Sequence, residues 1–528
     1  MKKIIALAMA LVMVLGLAAC GSSNTTSTDP STSMNGTGTT SPDSPKILRV
    51  AITEDPASIN LFDRLDGCGR ALWMPVYESL FDYDENVAPY CRLAESYELD
   101  DDGLGITIHL RKGVKFHNGE EMTADDVMFS LKLGLESNWA SAYGDINYDK
   151  CEIIDDYTVH FVFNSVQGPL LYQLCYCYIL NEDNYNAVQA GTEQAYAGTG
   201  AYKWSDWTIG LEYNMVKFDE YWGGEKYFDE LNMRIISDAS VAILELESGG
   251  VDMIQRPNAS DAERIMADPN SGFTVWQGSR VKNMNLGFNV QASPSDSKLI
   301  REAVVAAINP EEVLEVAFAG LGTVSTSVVP SGISAWEPYG TDGKQYTYDV
   351  ELAKAKLAEA GYPDGLTIPL YYLNTSDMQH VAEVLIGQLN RVGITVESQA
   401  MESATLMDLQ MNTNDTAMFL RILNFSGDPN QVINIAWSPE VGYVGTQNYF
   451  RNGEEACADE FIAINSEAKI TLNMDARNQL YRQLFNMITE NVWEYALVDY
   501  GENFIMRSDL NGFWTGGVAF HYEDAYIA

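Results

Sequence analysis

Few residues in this chain have the types and spacing that catalysis or metal binding requires. The five histidines, His109, His117, His160, His380 and His521, are isolated from one another in sequence. No H-E-x-x-H pair could hold a catalytic zinc, and no G-x-S-x-G turn could raise a nucleophilic serine. No G-x-x-x-x-G-K-[ST] loop could cradle a triphosphate. Cys175-Tyr176-Cys177 is the closest thiol pair, with no second pair or histidine beside it. It reads as two small apolar side chains on one strand face rather than a metal site. Asp100-Asp101-Asp102 lacks the further oxygen ligands at set spacing that calcium needs, and reads as a solvated turn. Paired carboxylates for glycoside cleavage remain open, because 74 acidic residues guarantee chance pairs. Apart from that possibility, the sequence offers no catalytic motif, no metal site and no cofactor-binding motif.

The net charge of −42 over 528 residues repels phosphate backbones and anionic lipid surfaces, so nucleic acid is excluded as a partner. The length allows two to four domains, and 46% hydrophobic with 20% charged residues suits packed cores. With 29 Tyr, 19 Phe and 10 Trp the chain could line an aromatic cleft, although such residues more often sit in cores or at rims.

The N-terminus is an address. Lys2 and Lys3 precede an apolar run from Ile4 to Ala19, short for a membrane span but suited to a signal peptide. The run ends Leu17-Ala18-Ala19-Cys20-Gly21, which resembles the lipobox of bacterial lipoproteins. There the thiol is diacylated and the cysteine becomes the new N-terminus, so Cys20 is the expected lipidation site. Residues 21–45 are rich in Ser, Thr, Gly and Pro and form no core. They read as a flexible tether spanning roughly 25–30 Å. The expected location is the outer face of the cell membrane, lipid-anchored. The other cysteines, Cys68, Cys91, Cys151, Cys175, Cys177 and Cys457, are too sparse for a disulfide scaffold.

Beyond the tether, strands alternate with helices, so the fold class is α/β. Strands are expected at Ile47–Ile52, Ile106–Leu110, Tyr157–Phe163, Thr367–Leu373 and Ile394–Glu397. Thr123 with Asp126 forms a capping-box pattern. Leu299–Ile308 carries Ile300, Val304 and Ile308 on one helical face. Asn309-Pro310-Glu311-Glu312 starts the next helix, Asp349 caps another that Gly361 ends, and Asp475–Glu490 is amphipathic.

A set of motifs then falls in a known order. Tyr77-Glu78-Ser79-Leu80-Phe81 is followed by LAESYELDDDGLGITIHLRKGVKFHNGEEMTADDVMFSLK at 93–132, GTGAYK at 198–203 and FDEYWGG at 218–224. REAVVAAIN at 301–309, YDVELAKAKLAEAGYPDG at 348–365 and GDPN at 427–430 complete it. Together they resemble the family 5 extracellular solute-binding proteins, the oligopeptide, dipeptide and nickel class served by ABC importers. The resemblance implies a two-lobed periplasmic-binding-protein fold of type II, with an extra subdomain in the first lobe. Lobe I would comprise 46–80, 196–278 and 491–528, the subdomain 81–195, and lobe II 279–490. Two crossovers are expected, near 275–285 and 488–500, with Tyr500–Ala528 packed on lobe I.

The implied function is capture of a peptide or peptide-like solute by a monomer, and delivery to ABC permease subunits. The alternatives are a saccharide or metal complex in the same fold, a secreted hydrolase, or a structural surface lipoprotein. Peptide-binding members place an acidic residue a few positions before the Asp-Pro step. The matching position here is Phe425, or Asn424 with a one-residue slip, and neither is charged. Asp428 or Glu54 could substitute as the ammonium anchor. Arg421, Asn424, Phe425 and Trp437 complete the candidate ligand residues, the last three as holders of a neutral sugar.

Overall fold

The computed structural model describes residues 44–55, 58, 59, 61, 67–137, 140–412, 416–425, 427–438 and 458–528. Cys20 and Cys457 lie outside them. Two sheets organise the fold from Pro45 onward. The first takes strands β1 (Ile47–Ile52), β2 (Tyr202–Thr208), β3 (Glu212–Lys217), β4 (Glu230–Ile235), β5 (Met253–Gln255) and β6 (Phe273–Gln277). The second takes β7 (Lys282–Phe288), β8 (Thr323–Val324), β9 (Leu366–Leu373), β10 (Ile394–Met401), β11 (Met418–Asn424) and β12 (Glu494–Tyr500). Strand β13 (Asn503–Arg507) returns to the first sheet. The orders are β6-β13-β5-β1-β4-β3-β2 and β8-β12-β7-β11-β9-β10.

Strand β1 pairs in parallel with both β4 and β5, and its Leu48, Val50 and Ile52 are buried. Strand β7 lies between β11 and β12, antiparallel to each. Its Asn283 and Asn285 are buried along with Met284, Leu286 and Phe288, so both faces of the strand are covered.

The chain crosses between the sheets twice, from Gln277 to Lys282 and from Tyr500 to Asn503. The two crossings touch: Gly278 N–H donates to Glu502 O at 2.8 Å. A Cβ at Gly501 would lie 2.5 Å from Ser279 O, so only glycine fits there. This revises one expected boundary. Residues 494–500 belong with the second sheet, because their apolar run forms a strand between β7 and β8. The return to the first sheet therefore begins at 501, not 491.

Residues between β1 and β2 add a four-stranded antiparallel sheet, ordered Ala94–Leu99, Gly105–Leu110, Thr158–Val162 and Glu152–Asp155. Its flank reaches the second half of the chain, where Gly168 N–H donates to Lys469 O at 2.7 Å.

Three helices border the crossings, α1 (Ala259–Ala267), α2 (Pro310–Phe318) and α3 (Ser376–Asn390), and α4 (Met474–Glu490) packs elsewhere in the second half of the chain. Asn309 caps α2 by accepting from Glu311 and Glu312 N–H, with Pro310 at its first position, as the sequence predicts. Helix α3 buries Met378, Val381, Ala382, Leu385 and Leu389, an i, i+3, i+4, i+7 stripe against the second sheet. That stripe leaves Asp377 exposed in its first turn. The Cys175-x-Cys177 reading needs correction. Leu170–Leu174 is a short helix that Cys175 terminates, so the two thiols sit in a buried turn rather than on a strand face. Both are free, as are Cys91 and Cys151.

Candidate functional site

A cavity of about 410 Å³ opens where the two crossings pass side by side. Its walls come from both sheets. Arg256 and Pro257 follow β5, Lys282 begins β7, Ile422 and Asn424 end β11, and Tyr500 to Asn503 form the return crossing. Ala317 and Phe318 close one side from the last turn of α2, and Asp377 stands at the start of α3. The Phe318 and Tyr500 rings meet at 5.3 Å between centroids. A second groove of about 580 Å³ shares Ala259 with the first and continues between α1, α2 and α3.

Glu502 is the electrostatic centre of this floor. Arg256 donates to it through Nε at 3.0 Å and through an amino group at 3.2 Å, and the Lys282 ammonium is also paired with it. Arg256 belongs to the first sheet's side and Lys282 to the second, so one carboxylate ties both. Burial alone would raise the Glu502 pKa, but Lys282 and Arg256 outweigh it and bring it down to about 2. Arg256 has φ of +51°, a left-handed conformation that a non-glycine residue holds only when its surroundings fix it. Its N–H donates to Asn503 O at 2.8 Å, which supplies part of that fixing. One residue before the crossing, burial raises the Asp499 carboxyl to about 7, against hydrogen bonds from Ser325 and Ser331.

The residues singled out from the sequence divide into two groups. Asn424 lines the cavity, and Glu54, with 58% of its side chain exposed, pairs with Arg256 at 3.2 Å at its edge. The others are buried elsewhere. Asp428 accepts from Arg477 Nε at 3.0 Å, from the Tyr481 hydroxyl at 2.8 Å and from Asn430 N–H at 2.9 Å. Its carboxylate is therefore consumed by α4 and offers no anchor for a solute ammonium. Arg421 donates through Nε to Glu494 at 2.7 Å, and Trp437 Nε1 donates to the same carboxylate at 2.6 Å. Phe425 and Trp437 are buried, 6.4 Å apart between ring centroids, in the apolar core that reaches α4. They present no face to a sugar. Their apolar character was the signal for the core, and sequence position alone suggested the cleft.

Sequence reasoning missed Arg256, Lys282, Asp377, Tyr500 and Glu502. A partial signal existed for three of them. Lys282 lies inside one expected crossover window, Tyr500 ends the other and Glu502 follows it, and a charged residue at a chain crossing is placed to face a cleft.

The motifs that carry the family resemblance meet at a different place. Glu78, of the Tyr77–Phe81 motif, accepts from Tyr221 and Trp222 of FDEYWGG at 2.9 and 2.8 Å. Thr199 of GTGAYK donates to it at 2.9 Å, and Arg92 Nε at 2.8 Å. Three separated motifs thus satisfy one buried carboxylate, a structural reason for their joint occurrence.

One group among the described residues, His521, Glu523 and Asp524, brings three potential metal ligands within 4.8 Å. Each is engaged already. His521 Nδ1 meets Glu523 at 2.9 Å, Arg92 pairs with Glu523 at 3.2 Å, and Lys226 pairs with Asp524 at 3.0 Å. Two cations in contact oppose a third.

Residues 88–443 match the family described as bacterial extracellular solute-binding proteins, family 5 middle. The chain belongs to that family. It is 29% identical to heme-binding protein A of Haemophilus influenzae, over 74% of this chain and 75% of that protein. It is 26% identical to the dipeptide-binding protein of Escherichia coli, over 78% and 81% respectively. Among solved structures, the ABC transporter-associated periplasmic binding protein DppA of Helicobacter pylori, in complex with the peptide STSA, matches with a TM-score of 0.72. That match is at 24% identity and covers 91% of this chain and 98% of that one. The oligopeptide-binding protein AppA of Bacillus subtilis, in complex with a nonapeptide, matches at 0.70 and 23% identity, over 92% and 100%. NikA of Staphylococcus aureus, in complex with Ni(L-His)2, matches at 0.70 and 18% identity, over 92% and 100%. The fold is that of the periplasmic binding proteins, and the family is extracytoplasmic. No helix among the described residues is long and apolar enough to cross a membrane.

Proposed function

We propose that this family 5 protein captures a peptide or peptide-like solute in the cavity at the chain crossings and delivers it to an ABC permease. The observation that carries the reading is the cavity itself, with walls from both sheets and a floor made by the two crossing segments. Residues 46–80, 196–278 and 501–528 act as one lobe, with 81–195 as its subdomain, and 279–500 as the other. Rotation about residues 278–281 and 501–502 opens and closes the cavity, and a solute that touches both walls favours the closed form. Relatives named for dipeptides and structures holding peptides support the peptide reading. The burial of Phe425 and Trp437 removes the two aromatic faces that the sequence offered to a saccharide.

A thermal-shift screen against di- to tetrapeptides, sugars, heme and nickel-histidine tests this. At a hundredfold excess over Kd, a peptide should raise stability by about 2.7 kcal/mol, and small-angle scattering should show a smaller radius. Stabilisation by heme, a sugar or nickel-histidine alone refutes the peptide reading.

The protein works as a monomer held by acylated Cys20, since two acyl chains anchor stably where one is marginal. Cys20→Ser should move the protein from the membrane to the soluble fraction or leave the leader uncut. An unmodified Cys20 by mass spectrometry, with unchanged fractionation, removes the anchor.

A further inference from the structure

One apolar side chain reaches across the boundary between the two sheets. A buried cluster on the first sheet's side takes Ala51, Ile254 and Ile505 from strands, Ile243 from the helix Ala239–Glu247, and Ala262 and Ile265 from α1. Among the described residues, one member of that cluster comes from the stretch 279–500. It is Leu321, in the turn after α2, with 5% of its surface exposed. The apolar cluster of its own sheet draws in Leu314 and Phe318 from α2 but not Leu321. The same side chain lines the cavity beside Phe318 and Ile422.

The turn that presents Leu321 is fixed by the second sheet's side. Helix α2 ends at Phe318, and Ala319, Gly320 and Gly322 all have positive φ, at +49°, +75° and +131°. Gly320 N–H donates to Leu314 O at 3.0 Å and Leu321 N–H to Phe318 O at 2.9 Å, which closes the helix. A Cβ at Gly322 would lie 2.5 Å from Asp499 O, so the turn is pressed onto β12 and only glycine fits. Thr323 then pairs with Asp499 as β8 begins. The backbone has little freedom to withdraw Leu321. Rotation about 278–281 and 501–502 must therefore pull it out of the opposite cluster and expose it. Exposing a leucine shifts a two-state equilibrium by about tenfold or more. That bias acts in the closed form alone and does not depend on the chemistry of the solute.

We propose that Leu321 is a positioning residue for solute capture, an apolar latch that biases the lobes toward closure before any solute is bound. The proposal rests on the closure of the two lobes described above, and not on the identity of the solute. Small-angle scattering of the solute-free full chain, with calorimetric titration of Ala-Ala-Ala, Ala-Phe-Ala and Ala-Gln-Ala, would compare the wild type with Leu321→Ala and Leu321→Met.

Leu321→Ala should lower the ratio of closed to open forms about tenfold. A mostly closed protein shows this as a larger solute-free radius. A mostly open one shows it as an equal loss of affinity, about tenfold, for every peptide that binds. Leu321→Met, of similar volume, should restore the wild-type values. The peptide-saturated radius should be the same in all three proteins. A lower melting temperature for Leu321→Ala with unchanged radius and affinity makes Leu321 an ordinary core residue and overturns the proposal. An affinity loss confined to one peptide makes it a solute contact and overturns it too. If none of the three peptides binds, the peptide reading fails separately. A solute-free radius that rises in Leu321→Ala then still supports the latch, and an unchanged one overturns it.

Discussion

Glu502→Gln should lower the free energy of unfolding by about 3 kcal/mol near neutral pH, with a matching fall in the denaturant midpoint. The cause lies in the two cations it holds. Lys282 and Arg256 have 17% and 35% of their side-chain surface exposed, and Glu502 has 7%. Removing the carboxylate charge leaves both cations in partial burial without their shared partner. The pH dependence gives a second signature. The folded-state pKa, about 2, lies below the ordinary carboxylate value of 4.5. The unfolded chain therefore takes up the proton first as pH falls. The Glu502 contribution is complete above about pH 4.5 and is lost between there and about pH 2.

Asp499 acts in the opposite direction. Its carboxyl is raised to about 7, so its contribution is fully present below about pH 4 and lost as pH rises toward 7. In Glu502→Gln the acid-side slope should shrink while the Asp499 slope remains. Unfolding curves for both proteins at pH 3, 5 and 8 check this. An equal difference at all three values would show that the Glu502 pKa is the same in the folded and unfolded chains.

How much of this was legible follows from the range of the interactions. Helix starts are local. Asn309 and Asp349 cap N–H groups two and three residues ahead, and both were readable from sequence. Strands were readable where burial imposes a pattern, as in Gly105–Leu110; β10 extends four residues beyond the expected Glu397, and none of those four is buried to signal it. The family motifs were legible because each carries part of the shell around Glu78.

The cavity was not legible, because it depends on which charges are already spent. Arg256 and Glu502 are 246 residues apart, and their pairing decides that neither is the free anchor. The Asp428 pairing with Arg477 spans 49 residues. A charged residue's type is visible in the sequence. Whether its charge remains available is a property of the fold.

Asp428 supplies the sharpest contrast between the two levels. Its place in the Asp-Pro motif suggested a ligand for a peptide ammonium. The structure makes it a buried support for α4. Asp428→Ala should therefore destabilise the protein by about 3–5 kcal/mol, because Arg477, with 3% of its side chain exposed, would lose its counter-charge. The Tyr481 hydroxyl would lose its acceptor as well. Asp428→Asn should cost less, since the amide oxygen can still accept one of these bonds.

The decisive comparison is with binding. Where the variant remains folded, at low temperature or with an osmolyte, its affinity for a given peptide should stay within about twofold of the wild type. Its response to N-acetylation of that peptide should also be unchanged. Wild-type stability combined with a selective loss of binding to free N-termini would return Asp428 to the solute site and require a rearranged α4. A double-mutant cycle with Arg477→Met gives an independent measure. The two substitutions should be strongly non-additive, because the second removes the charge that the first left unpaired.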